Sequence, residues 1–115
     1  MMRTNGRDPL EIEVQSSEER TLVTVSGELD ASTASFLYDK LSDLEVYDTH
    51  HVVLDLARVT FMDSTGLAVI VTEHKRLRHS DGTLTIFSPP SSVRRLFEIT
   101  GLTTVLDIVP AAEER

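Results

Sequence analysis

At 115 residues the chain suits one domain built on a single core. Its 19 acidic and 11 basic residues leave a net charge of −8, which excludes nucleic acid and anionic membrane as main partners, because phosphate surfaces have to be met by Lys and Arg. The lack of cysteine excludes disulfides, thiolate catalysis and Cys-ligated metals. The absence of a membrane-length apolar run and of an apolar signal core in residues 1–9 points to the cytoplasm.

Residues 1–9, polar with Gly6 and Pro9, are expected to be a flexible arm. Leu10, Ile12 and Val14, then Leu22, Val23 and Val25, alternate on either side of the polar stretch 16–19, and this pattern predicts an antiparallel hairpin. Gly27, Glu28, Leu29 and Asp30 are expected to turn into a helix over residues 32–45, where Phe36, Leu37, Leu41 and Leu44 fall near helical spacing. The apolar run 52–57 predicts a buried strand, and residues 67–79 a second helix. After a turn at residues 80–82, residues 83–87 have strand composition. Pro89 and Pro90 break that strand and start a short helix in which Val93, Leu96 and Phe97 face inward, with Gly101 suited to its C-terminal cap. A last strand is expected over residues 105–109. The order ββαβαβαβ implies an α/β domain whose sheet is mostly parallel after the first hairpin. Both 27–30 and 63–66 follow a strand and precede a helix, so they should share the carboxyl edge of the sheet, where open α/β sheets bind ligands or partners.

Between the central strand and the second helix stand Asp63, Ser64, Thr65, Gly66 and Leu67. Two adjacent hydroxyls thus open a helix, whose first N–H groups lack intrahelical partners and carry the positive end of the dipole. A phosphate on Ser64 would find donors there. The plainer alternative is an ordinary N-cap, since Asp, Ser and Thr are favoured at that position for local reasons. A serine nucleophile is disfavoured: it needs a base within hydrogen-bond reach, yet His74 and His79 lie down the same helix and His50 and His51 fall at the opposite edge of the sheet. No nucleophile elbow, phosphate-binding loop, dinucleotide fingerprint or zinc-protease motif is present, so neither an enzyme site, nor a cofactor, nor a metal is called for. Lys75, Arg76 and Arg78 are expected on a solvated helix face. Asp55 is expected to be a carboxylate satisfied by neighbouring donors.

Residues 53–56 followed by 59–67, together with Ser26-Gly27-Glu28-Leu29-Asp30 and Arg95-Leu96-Phe97-Glu98-Ile99-Thr100-Gly101-Leu102, resemble the anti-sigma factor antagonists, the STAS-domain family of bacterial partner-switching regulators. The resemblance runs from about residue 10 to 109, and it implies a STAS domain over 10–110 with a short tail at 111–115. It also implies a binding switch in transcription and stress response rather than an enzyme. The unphosphorylated antagonist would bind an anti-sigma factor that is a serine kinase, freeing a sigma factor; phosphorylation would release it, and a metal-dependent serine phosphatase would reset it. Ser64 corresponds to the family's phosphorylated serine and Thr65 to a supporting hydroxyl that is sometimes a second acceptor. Asp30 corresponds to a residue on the kinase-binding surface, with Asp63, Gly66 and Leu67 completing the expected partner-binding set. The alternative within the family is a STAS scaffold in a larger signalling complex with no sigma factor at its end. Unlike many members, this chain stops where they continue into a C-terminal helix, which is therefore expected to be short or absent.

Overall fold

The alternation read in the first thirty residues forms the expected hairpin. In the computed structural model, which describes residues 10–44 and 50–110, β1 (Leu10–Ser16) pairs antiparallel with β2 (Thr21–Leu29), Ile12 opposite Val25 and Val14 opposite Val23. The expected arm at 1–9, the tail at 111–115 and the end of the first helix at Glu45 lie outside the described residues. Next come α1 (Ala34–Leu44), β3 (His51–Met62), α2 (Ser64–His79), β4 (Thr83–Phe87), α3 (Ser91–Ile99), a short 3-10 turn at Leu102–Thr104 and β5 (Asp107–Val109). The five strands lie in the order β1-β2-β3-β4-β5, with every pair after the hairpin parallel.

All three crossovers step in the same direction across the sheet. Right-handed connections then put α1, α2 and α3 on one face. There Leu37, Leu41, Ile70, Leu77, Val93 and Phe97 pack with Val23, Val25, Leu54, Leu56, Leu84 and Ile86 in one cluster. Phe97 is fully buried, and Leu96 packs at the cluster's border. Gly101 ends α3 with φ 79°, the left-handed conformation glycine adopts without a Cβ penalty.

Four boundaries differ from the sequence reading. The central strand runs twelve residues, to Met62, rather than stopping at Ala57. Its partner register jumps from Thr24–Asp55 to Ser26–Arg58 and again from Gly27–Val59 to Glu28–Phe61, so β3 carries two extra residues. Each bulge resets the pleat, and the buried positions change from every second residue (Val52, Leu54, Leu56) to every third (Val59, Met62). A strand with that spacing does not look like one in sequence. By the same continuation Gly27, Glu28 and Leu29 belong to β2, and the turn into α1 begins only at Asp30. The second helix starts at Ser64, three residues before the apolar periodicity suggests. The last strand starts at Asp107, with Val105 about half exposed.

Two polar details follow from this framework. Asp55 precedes the first bulge, and its carboxylate accepts the Ala57 N–H at 3.0 Å, the local satisfaction expected of it. Arg76 does not belong to a solvated face: its guanidinium donates to both carboxylate oxygens of Glu73, at 3.0 and 2.6 Å. Glu73 is only 4% exposed and lies within the buried stripe of α2. Removing one member of a buried ion pair strands the other charge. Arg76→Ala should therefore lower unfolding free energy by about 3 kcal/mol in urea titrations, whereas Arg78→Ala, at an exposed neighbouring position, should change it by less than about 0.5 kcal/mol.

Candidate functional site

The parallel pairing of β2 with β3 continues to the carboxyl edge, where Leu29 lies opposite Met62 and the Asp63 N–H donates to the Leu29 carbonyl at 3.1 Å. Asp30 and Asp63, each the residue that follows one of this last pair, therefore sit side by side. The sequence places Asp30 and Ser64 at one edge of the sheet, and the fold brings their loops together through a single peptide group.

Each aspartate organises its own loop. The Asp30 carboxylate accepts from the Ser32 N–H at 3.0 Å and the Ser32 hydroxyl at 2.8 Å, and the Asp30 carbonyl accepts the Ala34 N–H that starts α1. Buried Thr33 ties this turn to the strand, donating from its hydroxyl to the Glu28 carbonyl at 2.6 Å while accepting the Asp30 N–H at 3.0 Å. Asp63 is the N-cap of α2, with one carboxylate oxygen accepting both the Thr65 N–H at 2.9 Å and the Thr65 hydroxyl at 2.5 Å.

The two hydroxyls at the start of α2 thus differ. The Thr65 hydroxyl is committed to Asp63. Ser64 is exposed, and its hydroxyl takes part in no hydrogen bond among the described residues. Gly66 and Leu67 are buried, so they can supply position rather than contact area. A Cβ on Gly66 would stand 2.9 Å from the Leu29 Cβ and 3.2 Å from the Leu29 carbonyl oxygen; the bare glycine lets the first turn of α2 seat against the end of β2.

One of the donors expected to await a phosphate is already in use: the Thr65 N–H goes to the Asp63 carboxylate, while the Leu67 N–H makes the first ordinary helical bond to the Asp63 carbonyl at 3.1 Å. The N-cap reading therefore holds for Asp63, while Ser64 stands outside the capping network as an unencumbered hydroxyl. Sequence gave no sign of this division of labour, because Ser and Thr are equally ordinary in a first helical turn.

The histidines lie where the sequence reading put them. His51 is at the start of β3, its Nδ1 paired with the Thr83 hydroxyl at 2.9 Å, the full length of the sheet from Ser64. A cavity of about 490 Å³ opens at that far edge between the β1–β2 turn, His50, His51 and Asp81; no side chain at the Asp30–Ser64 edge contributes to it. Among the described residues no group of three potential ligands could hold a metal ion, and no helix is long and apolar enough to cross a membrane.

Hydrogen bonding also sets the charge of the edge. The Ser32 hydroxyl and N–H hold the Asp30 carboxyl below its ordinary value of 3.8. The Thr65 hydroxyl, helped by the N–H groups of Thr65 and Gly66, lowers Asp63 against a desolvation cost and the repulsion of Asp30. Both groups are charged at neutral pH and are neighbours.

The model of the STAS domain matches residues 11–114. An anti-sigma-B factor antagonist from Listeria monocytogenes is 40% identical over 86 residues, 75% of each chain. The crystal structure of an anti-sigma factor antagonist from Mycobacterium paratuberculosis superposes with a TM-score of 0.81 at 25% identity, covering 89% of this chain and 86% of that one. The fold also recurs in SpoIIAA of Bacillus in its unphosphorylated and phosphorylated forms, with TM-scores of 0.75 and 0.71 at 20% identity over 90% of this chain and 91% and 95% of those.

Because both carboxyls are depressed in the folded state, each contributes stability that is fully present above 3.8 and is lost as pH falls below it through the lower folded value. Asp63→Asn keeps an oxygen for the cap but no titrating group. Its thermal midpoint should fall less steeply than that of the wild type between about pH 5 and pH 2; parallel curves would show that the Asp63 charge adds nothing to the cap.

Proposed function

This chain belongs to the STAS-domain family, and from that membership we infer that it acts as an anti-sigma factor antagonist, a regulator that binds an anti-sigma factor and so releases a sigma factor for transcription. The finer proposal is that the anti-sigma factor is a serine kinase, that Ser64 is the residue it phosphorylates, and that a metal-dependent serine phosphatase reverses the modification. The observation that carries it is the free, exposed hydroxyl of Ser64 beside two charged carboxylates at the carboxyl edge.

A phosphoryl acceptor has to present its oxygen to an incoming phosphorus and give up its proton to a base on the kinase. Ser64 can do both without disturbing its own domain. Thr65 would first have to give up the bond its hydroxyl donates to the Asp63 carboxylate. Ser64 is thus the acceptor, and Thr65 keeps Asp63 in place.

Release follows from charge. Phosphorylation adds about −1.5 to −2 charges beside Asp30 and Asp63, which already face any partner at this edge. A partner surface that accepts two carboxylates and a small hydroxyl meets instead a bulky dianion, and mispaired charge at an interface costs about 2–5 kcal/mol. The recurrence of one fold in both forms of SpoIIAA supports a change felt at the interface with no refolding of the domain.

Ser64→Ala should abolish kinase-dependent phosphate incorporation and leave an antagonist that stays bound in the presence of ATP. Mass-spectrometric mapping of undiminished label to Thr65 in that variant would assign the acceptor to the other hydroxyl. With phosphoserine installed at position 64, affinity for the anti-sigma factor should drop at least about tenfold, while amide chemical shifts change only in the loops around Asp30 and Ser64. Shifts spread through the sheet would mean that release is conformational.

A further inference from the structure

Of the chain's four phenylalanines, Phe97 is fully buried and Phe87 partly so, but Phe36 and Phe61 are 56% and 49% exposed. Both exposed rings belong to the edge that carries the acidic pair. Phe61 precedes Asp63 by two residues on β3. Phe36 stands in the first turn of α1, its N–H bonded to the Thr33 carbonyl of the Asp30 turn.

The exposure of Phe61 is built into the strand. From buried Val59, ordinary alternation would turn Phe61 toward the helices. The second bulge of β3 instead sends Met62 into the core beside Leu29 and leaves Phe61 opposite Glu28, which is itself exposed. An aromatic ring on a fixed strand, with a carboxylate as its cross-strand neighbour, has nothing apolar from that neighbour to cover it.

We propose that Phe36 and Phe61 are the apolar anchors of the surface that docks the anti-sigma factor, on either side of the carboxylates of Asp30 and Asp63. The proposal rests on the reading above that this edge meets the anti-sigma factor. Aromatic side chains on rigid elements lose little rotamer freedom on burial and dominate interface energetics, with charged groups setting orientation around them. The matching partner surface has two apolar recesses separated by a basic patch that receives Asp30, Asp63 and Glu28. A second copy of this chain does not fit, because it would bring the same three carboxylates against their own images. The anchors supply the contact area that the small hydroxyl of Ser64 does not offer.

With the purified anti-sigma factor of the same organism as the probe, unphosphorylated Phe61→Ala and Phe36→Ala should each bind at least about tenfold more weakly in calorimetric titrations, largely through faster dissociation, with circular dichroism unchanged. Ile99→Ala serves as the control. Ile99 is 70% exposed but ends α3, which runs back from the carboxyl edge, so its affinity should stay within about twofold of wild type. If both phenylalanine variants bind like wild type while Asp30→Ala weakens binding, the anchors are refuted and the reading of the edge stands. Equal losses in the Ile99 and phenylalanine variants would likewise refute them. Failure of the wild-type protein to bind would overturn the reading itself.

Discussion

The bond from the Asp63 N–H to the Leu29 carbonyl is the constraint on which the functional edge depends. It extends the β2–β3 ladder one step past the Leu29–Met62 pair, at the point where both strands hand over to helices. Asp30 begins the turn into α1 immediately after the acceptor, and Asp63 caps α2 immediately after donating. Asp30 and Asp63, 33 residues apart in the chain, are thereby fixed to one peptide group. The close seat of Gly66 on Leu29 reinforces the same joint from the helix side, so the spacing of the two carboxylates and Ser64 is set by backbone geometry rather than by flexible side chains.

Much of this was legible in the sequence because it follows from topology. Alternating strands and helices imply parallel pairing, and parallel pairing puts successive strand-to-helix loops on one edge; that alone predicted the neighbourhood of Asp30 and Ser64. The hairpin was legible because its apolar residues keep a period of two, and β4 because of its β-branched and aromatic composition. What escaped was the end of β3. There, two bulges replace that period with three, and a run such as Ala57-Arg58-Val59-Thr60-Phe61-Met62 carries no local signal for either strand or helix. The misplaced end of β2 has the same origin, since Gly27 to Leu29 are held in β2 only by pairing with residues that themselves look irregular.

The site shows a second limit of sequence reading. Asp, Ser and Thr in a row suggest several interchangeable caps, and their individual duties emerge only from which oxygen meets which N–H. Asp63 takes the capping role and recruits Thr65 to it, which leaves Ser64 free. Gly66 and Leu67, which look like part of a recognition motif, are buried and act by holding α2 against the strands. Glu73 and Arg76 illustrate the point away from the site, since a basic run on a helix gives no warning that one of its members serves a buried carboxylate.

The partly occupied helix terminus bears on how a switch can work here. Had the Thr65 N–H been vacant as well, a phosphate on Ser64 would gain a further donor, and modification would do more to stabilise the loop in a new arrangement. With Asp63 already drawing on the Thr65 N–H, and Asp30 raising the cost of further negative charge at Asp63, the domain offers the phosphate less than an open helix terminus would. Three anionic groups on one edge repel one another but remain in water, where such repulsion is weak. The same groups under a docked protein lose that screening, and the penalty grows as the interface closes. An edge that tolerates the modified residue in solution and rejects it in a complex needs no second conformation: the energetic difference lies between wet and covered states of one structure, which is why the rigid joint at Leu29 and a charge-based release are compatible.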